Sequence, residues 1–108
     1  MLKRKDIVHI ILNEKNKSYD VLKEKVLDCI LLNYKIEKQV LIENSVLNSL
    51  YSNIYAFVSL VKKFYKEVGY NKTRFLKKKD SWLNDDFPLP DEFKSLISRN
   101  DDKNTGMY

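Results

Sequence analysis

NSVLNSLYSNIYAFVSLVKKFYKEVG, residues 44–69, is the stretch whose periodicity decides the fold. Successive residues of a helix lie 100° apart. With Lys62 at the origin, Val46, Leu47, Leu50, Tyr51, Ile54, Phe57, Val58, Val61, Phe64, Tyr65 and Val68 fall between about 200° and 340°. A single apolar stripe of that length predicts a long amphipathic helix ending at Gly69, a residue suited to the left-handed stop of a helix. The other half of the wheel has an unusual composition. Asn44, Ser45, Asn48, Ser49, Ser52, Asn53, Tyr55, Ala56 and Ser59 occupy it, followed abruptly by Lys62, Lys63 and Lys66. Solvated helix faces usually hold Glu, Lys and Arg, whereas Asn and Ser disfavour a helix interior. A face without charge from Asn44 to Val61 therefore predicts a contact surface, with Asn44, Asn48, Ser52, Tyr55 and Ser59 as its candidate protein-interface residues.

Outward from this helix, the rest of the chain also reads as helical. Gly and Pro number only two each, and neither occurs before Gly69. Hairpins and tight turns generally need them, so the fold class is all-α. A chain of 108 residues is one domain with one modest core. Residues 4–13 are apolar on several sides, and the lack of an evident second strand favours helix there. Asn13 to Lys17 reads as a loop and Ser18 as the N-cap of a second helix, with Asp20 in its first turn. Tyr19, Leu22, Val26, Cys29 and Ile30 give that helix its buried stripe, which predicts a break between Asn33 and Lys38. Ile36 to Glu43 is a short element of open type. After Gly69, Thr73 is the expected cap of a helix carrying Phe75, Leu76, Lys79, Trp82 and Leu83 on one face. Asn84 to Pro90 reads as a loop, and Asp91 to Arg99 as a last helix buried through Phe93, Leu96 and Ile97. The expectation is a compact bundle of four to five helices with one long central amphipathic helix. Residues 1–99 form its single domain, and residues 100–108 a polar, frayed tail.

Charge is segregated along the chain. Residues 62–79 hold eight basic side chains and one acidic, residues 80–108 three and seven, and the whole carries +5. Seven Asn and Ser side chains in residues 44–61 exclude a membrane span there. The apolar run Ile7 to Leu12 is short, interrupted by His9 and without a small-residue cleavage site, unlike a signal peptide. A lone Cys29 makes no internal disulfide, and its spacing from Val26 and Ile30 predicts a buried, inert thiol. These features favour the cytoplasm.

Chemistry-bearing patterns are sparse. With one His and one Cys there is no Ser-His-Asp set and no zinc ligand group, and no glycine-rich loop cradles phosphate. The acidic residues Asp85, Asp86, Asp91, Glu92, Asp101 and Asp102 follow no calcium-loop spacing. No metal, cofactor or small-molecule substrate is expected. The run Arg4-Lys5-Asp6-Ile7-Val8-His9 resembles the Arg, four residues, His motif of HEPN-domain ribonucleases. The resemblance implies a metal-independent cleavage in which His9 acts as acid or base and Arg4 steadies phosphate charge. It departs from the family in position, since almost nothing precedes the motif here. An enzyme is not the expected outcome.

The strongest functional signal is a basic aromatic block. Lys62, Lys63, Lys66, Lys72, Arg74, Lys77, Lys78 and Lys79 interleave with Phe64, Tyr65, Tyr70, Phe75 and Trp82. Lysines attract phosphates without regard to sequence, while aromatic faces stack on unpaired bases. The predominance of Lys over Arg suits backbone tracking rather than base reading. The stretch Phe64-Tyr65-Lys66-Glu67-Val68-Gly69, with Phe75-Leu76-Lys77-Lys78, is similar to a segment of the small helical subunits of CRISPR effector complexes. That resemblance spans some fifteen residues and implies a non-catalytic subunit of an antiviral ribonucleoprotein assembly. The expected function is thus a small basic accessory protein holding RNA or single-stranded DNA by its backbone, with protein partners or self-association and no membrane contact. If about five of the cations meet phosphates, log K should fall with log salt at a slope near −3.5. The alternative is a protein-interaction module or inhibitor from a mobile element, using the uncharged Asn/Ser face.

Overall fold

The computed structural model describes residues 1–105, with side chains as far as Arg99. Its helices are α1 (Arg4–Asn13), α2 (Tyr19–Tyr34), α3 (Lys38–Glu43), α4 (Leu47–Glu67), α5 (Lys72–Lys78), α6 (Asp80–Leu83) and α7 (Asp91–Thr105). There is no strand among the described residues, so the all-α reading stands; seven helices replace the expected four or five. The count rises because the 36–43 element is helical and the 73–83 element is two helices. The long α4 is also less singular than expected. It has 21 residues, against 16 in α2 and 15 in α7.

α2 and α4 form the principal helix pair, with α1 packed on both. Their stripes supply the core: Ile7, Val8 and Ile11 from α1, Leu22, Val26, Leu27 and Ile30 from α2, and Leu50, Ile54, Phe57, Val58 and Val61 from α4. Every one of these is apolar, as a core without hydrogen-bonding partners requires. Phe75, Leu83, Phe87, Phe93 and Leu96 close it from the C-terminal half. The N-terminus is clasped to the loop before α7. Arg4 N–H donates to the Asp85 carbonyl at 3.0 Å and Phe87 N–H to the Leu2 carbonyl at 2.9 Å, around an antiparallel bridge between Lys3 and Asp86.

Three helices stop in the same way. After α2, Ile36 N–H reaches the Leu31 carbonyl at 3.1 Å and Lys35 has φ 52°. After α3, Val46 N–H reaches the Leu41 carbonyl at 2.9 Å and Ser45 has φ 57°. After α4, Tyr70 N–H reaches the Tyr65 carbonyl at 2.9 Å and Gly69 has φ 67°. Each is a Schellman stop, in which a left-handed residue lets the chain reverse and satisfy a terminal carbonyl; after α4 the next residue, Tyr70, is left-handed as well, at φ 58°. The break expected between Asn33 and Lys38 and the stop expected at Gly69 are both present. The α3 stop was not legible, and it moves the start of the long helix from Asn44 to Leu47.

Two further boundaries differ from expectation. Asn71, not Thr73, caps α5: its Oδ1 accepts from Arg74 N–H at 2.9 Å. The chain then breaks at Lys79, φ −105° and ψ 20°, and redirects from α4 toward α1, on which α6 packs. This turn lets Trp82 lie parallel to Phe57, 5.5 Å between ring centroids. α7 runs to Thr105, past the expected end at Arg99. The last part of the expected frayed tail, residues 106–108, lies outside the described residues.

Candidate nucleic-acid interface

The eight candidate cations fall into three groups. Lys62, Lys63 and Lys66 project from the last turns of α4 and line an open groove of about 550 Å³ with Lys17, Tyr65 and Tyr70. Lys72, at the start of α5, points to the C-terminal end of α1, its Nζ 2.6 Å from Asn13 Oδ1. Arg74, Lys77 and Lys78 lie exposed on the outer side of α5. On the wheel, Lys77 lies opposite buried Phe75, about 160° away, with Arg74 and Lys78 on its flanks at about 100° and 60° from Phe75. Lys79 stands apart, folded onto the Phe64 ring with its Nζ 3.8 Å from the centroid, where the ring quadrupole holds the ammonium.

How the groove lysines are held matters as much as where. Lys17 Nζ donates to the carbonyls of Ile11 (3.1 Å), Leu12 (3.0 Å) and Glu14, closing the C-terminal end of α1. Lys62 Nζ donates to the Lys17 carbonyl at 2.7 Å. All these acceptors are neutral. They fix the positions of the ammonium groups without cancelling their charge, which a carboxylate would do. Among the described residues none of the eight candidate cations, nor Lys17, forms a salt bridge. Three acids near the chain ends of these elements are engaged by other cations. Glu14 pairs with Lys25 at 2.5 Å, and this contact, foremost, holds its carboxyl below the usual range. Asp86 pairs with Lys3 at 2.8 Å and Asp85 with Arg4 at 3.5 Å.

Most of the aromatic residues in the block belong to packing. Phe75 is fully buried. Trp82 is half-buried, stacked on Phe57, edge-on to Phe64 and covered by the Arg4 guanidinium at 5.0 Å. Tyr65 is half-buried and meets Phe75 and Tyr70 edge to face. Tyr70 alone among the five is largely exposed, at 63%.

The uncharged face of α4 divides as well. Asn44 belongs to the α3 stop, its Nδ2 donating to the Val40 carbonyl at 2.8 Å. Ser49 Oγ bonds Glu92 Oε2 at 3.1 Å and Asn53 Nδ2 donates to the Pro88 carbonyl, so both hold the segment entering α7. Asn48, Ser52, Tyr55 and Ser59 remain exposed in one stripe, with the Tyr55 ring edge-on to Tyr19 at 4.9 Å. This stripe runs directly into Lys62 and Lys66, because those positions continue the same wheel sector.

Arg4 and His9 do not converge. The Arg4 guanidinium is engaged by Asp85 and Trp82, whereas His9 is exposed beside Ile10, Asn13, Glu14, Lys25 and Asp28 in the groove between α1 and α2. Five residues apart on one helix, their side chains diverge by about 140°. Among the described residues no group of three or more His, Cys, Asp or Glu stands close enough to hold a metal, and no helix is long and apolar enough to cross a membrane. Lys17 was not among the sequence candidates: it lies 45 residues from Lys62, and no local pattern links them. No protein-family model, no curated protein and no solved structure matches the chain.

Proposed function

We propose that the chain is a non-catalytic nucleic-acid-binding protein that holds RNA or single-stranded DNA by its backbone, as a subunit of a larger assembly. The observation that carries this reading is the groove of Lys17, Lys62, Lys63 and Lys66, whose walls contribute no acidic side chain. A concave positive surface with a partly apolar floor concentrates its field on an anionic polymer. Lysine ammonium groups meet phosphates as point charges, which suits backbone tracking without sequence readout. The exposed stripe of Asn48, Ser52 and Ser59 supplies neutral donors in line with the lysines, a combination that also serves sugar and phosphate oxygens. Charge reversal separates the groove from the outer face of α5. The double variant Lys63→Glu with Lys66→Glu should abolish retention of a single-stranded oligonucleotide, and Lys77→Glu with Lys78→Glu should weaken it less. Equal effects of the two pairs, or none, would refute the groove as the site.

A second reading rests on a different observation. Asn48, Ser52, Tyr55 and Ser59 are exposed on a helix face that carries no charge and makes few internal bonds. Interface cores are depleted in charge and enriched in Tyr, so this stripe also suits a protein partner, including an enzyme inhibited by a mobile-element product. Asn48→Glu with Ser52→Glu should then disrupt complex formation while the lysine reversals leave it intact.

A further inference from the structure

We propose that Tyr70 is a stacking platform for one unpaired base, so that the lysine groove takes single strands by base as well as backbone; the inference rests on the backbone-binding reading above. The three Schellman stops provide the internal comparison. In that motif the residue after the left-handed position packs on the helix it leaves. Ile36 and Val46 do so in full, at 7% and 4% exposure. Tyr70 occupies the same sequence position after α4, but unlike Ile36 and Val46 it is itself left-handed, and 63% of it faces solvent. Tyr70 is not buried as Ile36 and Val46 are, and its large ring is left largely in solvent.

The geometry of that ring is specific. Tyr70 and Tyr65 meet at 5.6 Å with an interplanar angle of 87°. In either sense of an edge-to-face contact, Tyr65 covers at most one face of Tyr70, while 63% of the residue faces solvent. The ring is also held in place. Tyr70 itself has φ 58°, directly after Gly69 at φ 67°. Consecutive left-handed residues are costly for a bulky side chain and persist only where their surroundings impose them. The Tyr70 N–H bond to the Tyr65 carbonyl ties this backbone to the end of α4, and the Tyr65 ring lies against the Tyr70 ring. Tyr70 lines the same groove as Lys62, Lys63 and Lys66. Stacked bases with phosphates on flanking lysines is the arrangement by which sequence-neutral single-strand binders work. The other aromatic rings of the block are buried or covered, so Tyr70 is the one positioned for this.

The test compares two ligands of equal length and backbone charge on the full chain: an oligodeoxythymidine of about twelve nucleotides, within the usual single-strand site sizes, and an abasic deoxyribose-phosphate strand. The wild type should bind the thymidine strand about tenfold more tightly, as expected from one base–aromatic stack. Tyr70→Phe should keep that preference. Tyr70→Leu keeps an apolar contact for Tyr65 but removes the π face, and should equalise the two ligands; helical circular dichroism and a thermal melt confirm that it folds. Equal affinities in the wild type, or a preference that survives Tyr70→Leu, would overturn the stacking role alone. If the wild type binds neither strand, the backbone reading fails and the stacking role with it.

Discussion

Lys3 and Asp86 meet twice, through an antiparallel backbone bridge and through an ion pair of 2.8 Å between Nζ and Oδ1. The hydrogen bond to Asp86 raises the Lys3 ammonium above its ordinary range, and the bond to Lys3 lowers the Asp86 carboxyl below its own. A lowered carboxyl contributes stability above its unfolded pKa and loses it as pH falls through the folded value. A raised ammonium contributes below its unfolded pKa and loses it as pH rises through the folded value. The pair should therefore act between about pH 4 and pH 10. Melting temperatures of wild type and Asp86→Asn, measured across pH, should differ modestly inside that window, as expected of an exposed pair, and converge at both ends. A difference that persists in strong acid would mean that Asn disturbs the backbone bridge rather than the charge pair.

The non-glycine helix stops give a prediction of opposite sign at equivalent positions. Lys35 and Ser45 adopt the backbone that Gly69 adopts, at φ 52° and 57° against 67°. Left-handed backbone costs a residue with a Cβ about 1–2 kcal/mol, partly offset by the greater unfolded-state entropy of glycine. Lys35→Gly and Ser45→Gly should each raise stability by about 0.5–1 kcal/mol, seen as a higher urea midpoint at unchanged slope. Gly69→Ala should lower it by about 1 kcal/mol, from backbone strain alone, since nothing lies within 4 Å of the added Cβ.

Phe75 seats α5 on the core and is fully buried. Phe75→Ala should cost about 3–5 kcal/mol, through lost transfer energy and the cavity left behind. Fluorescence of Trp82, the single tryptophan, follows the unfolding because its ring packs on Phe57 and Phe64. A cost below about 1 kcal/mol would show that α5 does not depend on this contact.

Cys29 is half-buried. Burial first, and the Asp6 charge second, push its thiol above the ordinary range. Thiolate is the reactive form, so alkylation near neutral pH should be slower in the native protein than in the urea-unfolded chain. Native and unfolded rates that coincide would contradict this placement.

Much of the fold was legible, and for identifiable reasons. The α4 stripe and the Gly69 stop are carried by local period and by a residue whose conformational freedom is written in its identity. The stops at Lys35 and Ser45 were not equally legible, because Lys and Ser carry no such mark. The break after Asn33 showed only as an interruption of the α2 stripe, and the break at Ser45 did not show at all. The division of the 73–83 element followed from where α4 and α1 lie, which no window of sequence contains. At the candidate site, the Asn/Ser composition of α4 has a partly structural origin: Ser49 and Asn53 hold the segment entering α7 and Asn44 belongs to the α3 stop. The basic block was visible as a composition, but its division was not. Lys62 meets Lys17 and Lys72 meets Asn13 across 45 and 59 residues, and such pairings arise only once the chain is folded.

The groove holds positive charge whose hydrogen-bond partners leave it uncancelled. The most direct measurement is the affinity for a twelve-nucleotide single strand as salt is raised from about 50 to 200 mM. If Lys17, Lys62, Lys63 and Lys66 all face phosphates, log K should fall with log salt at a slope near −2.8, and Lys63→Glu with Lys66→Glu should flatten it. An affinity indifferent to salt over that range, or a slope unchanged by the double reversal, would show that these lysines do not meet phosphates.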